Sequence, residues 1–112
     1  MSEGRLRTDI WIASELRRLD RATIPAVVVR RGDANLGTVM LKVNRFAQGC
    51  LVYTRVWDAK GELCWMAAAE GIAVPEADAD AHVQRAVGRD PDLWVIEIED
   101  NACRYVPEGR VI

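Results

Sequence analysis

A chain of 112 residues, half of them apolar, with a net charge of −2, is long enough for one domain with a real hydrophobic core and too rich in Val, Ile and Leu to be disordered. Its pI near 5.4 gives no global basis for a nucleic-acid or membrane partner. No stretch approaches the ~18 apolar residues of a membrane span, and Met1 to Thr8 carries no apolar leader, so a cytoplasmic location is expected.

In chain order, the spacing of Ile12, Leu16 and Leu19 predicts a helix over about residues 8–22, and Pro25 bars its continuation. Ala26 to Arg30 is a short β-branched run. The turn formers Gly32, Asp33 and Asn35 separate it from a second strand at Thr38 to Phe46. Cys50 to Trp57 and Glu62 to Ala68 follow as strands three and four. Asp58-Ala59-Lys60-Gly61 joins them as a hairpin turn, with Gly61 left-handed. Val74-Pro75-Glu76 opens a second helix, whose apolar side is Ala79, Val83, Ala86 and Val87; Gly88 and Pro91 end it. Leu93 to Glu99 is the clearest strand, and a short extended piece is expected at Cys103 to Val106. The order α-β-β-β-β-α-β predicts an α+β fold, with a mostly antiparallel sheet of about five strands and both helices on one face. Residues 1–112 read as a single domain, with mobile ends at about 1–6 and 107–112.

The residue pattern offers little catalytic chemistry. The one histidine, His82, has no serine or cysteine placed by sequence to serve as its nucleophile. Cys50, Cys64 and Cys103 are too widely spaced for a zinc motif or a disulfide framework, which favours a reducing compartment. Asp78 and His82 share a helix face, and Glu97 and Glu99 share a strand face, but solvated side chains explain both pairs. Arg31-Gly32-Asp33 and Gly37 form no phosphate loop and read as a turn. No catalytic residue, cofactor or metal ligand is therefore assigned.

The tryptophans say more. With the proposed turn, Trp57 opposes Leu63 and Arg55 opposes Trp65. One face then gathers Tyr53, Trp57, Leu63 and Trp65 around Arg55. Those residues are core if helices cover that face, and an interaction patch if they do not. With both helices on one face, the other would be bare and apolar, and a homodimer is the expected remedy.

Four stretches, "DIWIASELRRL" from Asp9, "VVVRRGDANLG" from Val27, "VMLKV" from Val39 and "RDPDLWVIEIED" from Arg89, together resemble the domain-of-unknown-function family DUF1491 over about residues 6–101. The resemblance implies a stand-alone bacterial protein and carries no activity with it. The first functional reading is a small non-enzymatic intracellular module that binds a protein partner. One alternative is nucleic-acid binding through the basic first half, where residues 1–60 carry a net charge of +5 against −7 for the rest. The other is a small-ligand binder or enzyme whose site the sequence does not advertise.

Overall fold

The stripe of Ile12, Leu16 and Leu19 does form one side of a helix. The computed structural model describes residues 6–112 and begins with α1 (Thr8–Arg21). Then come β1 (Ala26–Arg30), β2 (Val39–Asn44), β3 (Cys50–Trp57), β4 (Leu63–Ala67), α2 (Glu76–Arg89), β5 (Trp94–Glu99) and β6 (Arg110–Val111). Pro75 stands just before α2, with Glu76 and Asp78 in its first turn and Arg89 in its last, which complements the helix dipole at both ends.

The sheet is α+β and mixed, with six strands in the order β1-β5-β2-β3-β4-β6. The β1/β5, β2/β3 and β3/β4 pairs are antiparallel. The β2/β5 and β4/β6 pairs are parallel. Consecutive strands pair from β2 to β4, as expected. β1 and β2 do not pair, because β5 returns after α2 and inserts between them. The sixth strand lies in the segment from Pro107 that was expected to trail, and it adds to the free edge of β4. The extended piece expected at Cys103 to Val106 is instead an irregular segment held by Asp100, whose carboxylate accepts the Arg104 and Tyr105 N–H groups, both at 2.8 Å.

The helices cover opposite faces of the sheet, which corrects the expectation of both on one face. Ile12 and Leu19 of α1 join Val39, Leu41, Val43, Leu51, Trp94, Ile96 and Ile98 in one cluster. Ala79, Val83 and Ala86 of α2 join Met40, Val52, Leu93 and Val95 in the other. The physical reason lies in β2 and β5. Side chains alternate along a strand, yet every residue of β2 is buried, and Trp94, Val95 and Ile96 are buried in succession. A strand apolar on both faces needs cover on both. The bare sheet face that motivated a homodimer is thus covered at its centre by the chain's own helices.

One polar cluster sits on the α2 face. The Lys42 ammonium, its side chain only 7 % exposed, donates to Glu76 and Asp80 at 2.7 Å each and lies 3.5 Å from Glu97. Burial opposes its charge, but the bonds to Asp80 and Glu76 outweigh that and hold its pKa above the ordinary lysine value. A raised folded-state pKa adds stability that is complete below the unfolded value of about 10.4 and is lost as pH climbs through the folded one. Lys42→Met should therefore lower stability by roughly 1–2 kcal/mol at pH 7. The deficit should shrink once pH passes the unfolded lysine value. Urea melts of both proteins at pH 7 and pH 11 check this; a deficit that grows with pH would contradict it.

Candidate functional site

The turn formers of residues 32–37 build a tight, internally bonded loop. The Asp33 carboxylate accepts the N–H groups of Asn35 and Leu36 at 3.1 and 2.8 Å. Its carbonyl accepts the Gly37 N–H at 3.2 Å and the Trp94 indole N–H at 2.7 Å. Glycine is required twice here by close approach. A Cβ on Gly32 would lie 2.1 Å from the Asp92 carbonyl oxygen, and one on Gly37 would lie 2.5 Å from it.

This loop also seats the start of α1, which has no side-chain cap. The Asn35 and Ala34 carbonyls accept the Thr8 and Asp9 N–H groups at 3.2 and 3.0 Å. The buried Thr8 hydroxyl donates to the Gly37 carbonyl at 2.8 Å. Two of the four donors that a helix start leaves over are thereby satisfied by backbone.

The third component is the far end of the β3–β4 hairpin. Its register is the expected one, with Trp57 opposite Leu63 and Arg55 opposite Trp65. The Asp58 N–H donates to the Glu62 carbonyl at 2.9 Å, and Gly61 has φ +80°.

Loop, helix start and hairpin end enclose a cleft of about 460 Å³, lined by Leu6, Thr8, Trp11, Leu36, Gly37, Arg55, Trp57, Glu62 and Leu63, among others. That volume falls within the roughly 300–1,000 Å³ of small-ligand sites. Four apolar residues of the lining are exposed, Leu6 at 55 %, Leu36 at 89 %, Trp57 at 50 % and Leu63 at 36 %. Arg55 stands inside, its guanidinium carbon 5.3 Å from the Trp11 ring centre. One of its nitrogens donates to the Thr8 hydroxyl oxygen at 3.3 Å and to the Gly37 carbonyl at 3.5 Å. Burial lowers its pKa from the ordinary arginine value, which still leaves it charged at neutral pH.

The residues grouped by sequence thus separate. Trp65 is in the core at 1 % exposure, and Tyr53 packs against that core half-buried. Arg55, Trp57 and Leu63 line the cleft. Sequence reasoning missed Leu6, Thr8, Trp11, Leu36 and Gly37. The signal for Leu36 was present: a large apolar residue between Asn35 and Gly37 has no periodic neighbour to pack against.

The other candidate groups are engaged elsewhere. A smaller cavity of about 190 Å³ is lined by both Cys50 and His82. Burial raises the Cys50 thiol pKa, the opposite of an activated nucleophile, and its sulfur donates to Asn44 at 3.6 Å. Burial also lowers the His82 pKa, aided by Arg85 and Arg89. Glu97 faces Lys42. Among the described residues, no three His, Cys, Asp or Glu side chains are grouped to hold a metal ion, and no helix is long and apolar enough to cross a membrane.

Comparison with known proteins agrees with the fold and adds no chemistry. The family model described as "Protein of unknown function (DUF1491)" matches residues 6–107. A crystal structure of a DUF1491 family protein from Caulobacter crescentus is 37 % identical, with a TM-score of 0.85 over 96 % of this chain and 99 % of that one. An NMR structure of a DUF1491 family protein from that organism gives 37 % identity and a TM-score of 0.82, covering 96 % of each chain. A solution structure of a protein from A. tumefaciens, 21 % identical, shares the fold at a TM-score of 0.71 over 85 % of this chain and 86 % of that one. Among curated proteins none matches.

Proposed function

Because the chain belongs to the DUF1491 family, described only as proteins of unknown function, we propose a function from the cleft itself: the domain is a non-enzymatic interaction module that seats an apolar segment of a partner protein between α1 and the β3–β4 hairpin. The observation that carries this is that Leu6, Leu36, Trp57 and Leu63 are exposed and line one formed cavity. Large apolar side chains clustered at one concave site mark binding surfaces. The nucleic-acid reading draws less support. Arg7, Arg18, Lys42 and Arg45 are ion-paired, and Arg30 is bonded to the Pro91 and Leu93 carbonyls. The unpaired thiols of Cys50, Cys64 and Cys103 fit a reducing cytoplasm.

Selection of a displayed random-peptide library on the wild-type domain tests the reading. Enriched peptides should carry a large apolar residue. Their binding should fall at least tenfold, about 1.4 kcal/mol, in Leu36→Asp and Trp57→Ala. Enriched peptides that bind both variants as well as wild type would show that the working surface lies elsewhere.

A further inference from the structure

Among the described residues, several cations beside the sheet are held by carboxylates, and the arginine inside the cleft is not. Arg18 donates to Glu15, Lys42 is surrounded by Glu76, Asp80 and Glu97, and Arg45 lies 3.4 Å from Asp100. Arg55 has no carboxylate within 4.0 Å among the described residues. Its hydrogen-bond partners are a hydroxyl and a carbonyl at 3.3 and 3.5 Å, near the long limit for such bonds. A guanidinium offers five N–H donors, so most of its donating capacity remains for something else.

Resting on the reading of the cleft as the binding surface, we infer that Arg55 is its anchor and that the cleft takes a monoanionic carboxylate carrying an apolar, ring-sized body. Three features select this chemistry. The Arg55 fork lies over the Trp11 ring, which restrains its plane, and a planar fork matches a carboxylate with two parallel bonds. The half-exposed Trp57, with Leu36 and Leu63, provides apolar walls for the body of the ligand. Glu62 also lines the cleft, and its repulsion grows with the charge on the ligand, so it weighs more against a phosphate dianion than against a monoanion. The start of α1 does not compete for the anion, because the Thr8 and Asp9 N–H groups are taken by loop carbonyls. Burial works in the same direction. It depresses the Arg55 pKa, and an arriving carboxylate would relieve the cost of keeping that charge out of water.

The test uses 3-phenylpropanoate and its neutral amide against ¹⁵N-labelled protein. The readouts are the Gly37 amide and the Trp57 indole N–H. The acid should move both signals and bind at least tenfold more tightly than the amide, and Arg55→Gln should abolish that preference. The comparison of acid with amide needs only the wild-type protein, so it stands even if the variant folds poorly. Gly-Gly-Phe with a free carboxylate, set against its C-terminal amide, separates the sources. Binding by the peptide acid assigns a chain terminus; binding by 3-phenylpropanoate alone assigns a free small acid. Equal affinity for acid and amide at the cleft would remove Arg55 as anchor and leave the cleft as an apolar binding surface. Inorganic phosphate binding as tightly as the acid would overturn the carboxylate class. Failure of every probe and of every selected peptide to move the cleft signals would overturn both readings.

Discussion

Gly32→Ala should lower the unfolding free energy by roughly 3 kcal/mol or more, among the larger costs of a single added methyl group. The new Cβ would lie 2.1 Å from the Asp92 carbonyl oxygen and 2.7 Å from the Leu93 carbonyl carbon. Both are backbone atoms, so no rotamer change relieves the clash. Either the 32–37 loop moves or the entry to β5 does. Movement of the loop would also strain the Asp33 bond to the Trp94 indole and the carbonyls that seat α1. Gly88→Ala is the matched control. It lies inside α2 with nothing within 4 Å of an added Cβ, and it should stabilise by about 0.5–1 kcal/mol through helix propensity. Urea melts of the three proteins decide the matter. A Gly32→Ala protein within 1 kcal/mol of wild type would mean that the loop does not pack this closely on Asp92.

Trp65→Ala should cost about 3–5 kcal/mol, the usual range for emptying a large aromatic site. Trp65 is 1 % exposed, its ring centre lies 5.6 Å from that of Trp11, and its indole N–H donates to the Glu108 carbonyl at 2.9 Å. The loss would reach the cleft, because Trp11 packs on Trp65 and carries the Arg55 guanidinium. Trp65→Phe keeps most of the apolar area and loses the indole bond, so its cost should be less than half as large. The Trp57 indole signal should shift in the alanine variant and stay near its wild-type position in the phenylalanine one. A Trp65→Ala cost below that of Trp65→Phe would contradict the packing described here.

Much of this was legible because local chemistry decided it. Asp58 and Gly61 fix one turn, and one turn fixes the register of a hairpin, so the pairing of Arg55 with Trp65 followed from four residues. The start of α2 follows from Pro75 and Glu76 in the same way and its end from Pro91, whereas Gly88, expected to help end it, lies within its last turn. What was not legible depends on partners distant in the chain. Val39 to Asn44 pairs in parallel with Trp94 to Glu99. No turn residue records a pairing across that separation. The apolar run Leu93-Trp94-Val95-Ile96 did carry a trace of it, since such a run suits a central strand better than an edge. The helix faces were hidden for a related reason. When both faces of a strand are apolar, periodicity no longer says which one a helix covers. The cleft was hidden because its parts come from three separate places. Thr8 and Trp11 lie on a helix, Leu36 and Gly37 in a loop, and Arg55 and Trp57 on a strand.

The central place of β5 also bears on how the protein is made. β1 has a single strand partner, and that partner is β5. As synthesis proceeds, residues 26–30 leave the ribosome long before residues 94–99 do. Through that interval β1 has no strand beside it, while the β2–β3–β4 meander can already pair. The nascent chain therefore carries an unpaired β-branched segment, Val27-Val28-Val29, until almost all of the domain has emerged. Contacts of such long sequence separation slow folding. The half-made chain is thus the form in which this protein is most open to association with other copies of itself, and a chaperone that shields residues 26–30 would act at the step where that hazard is greatest.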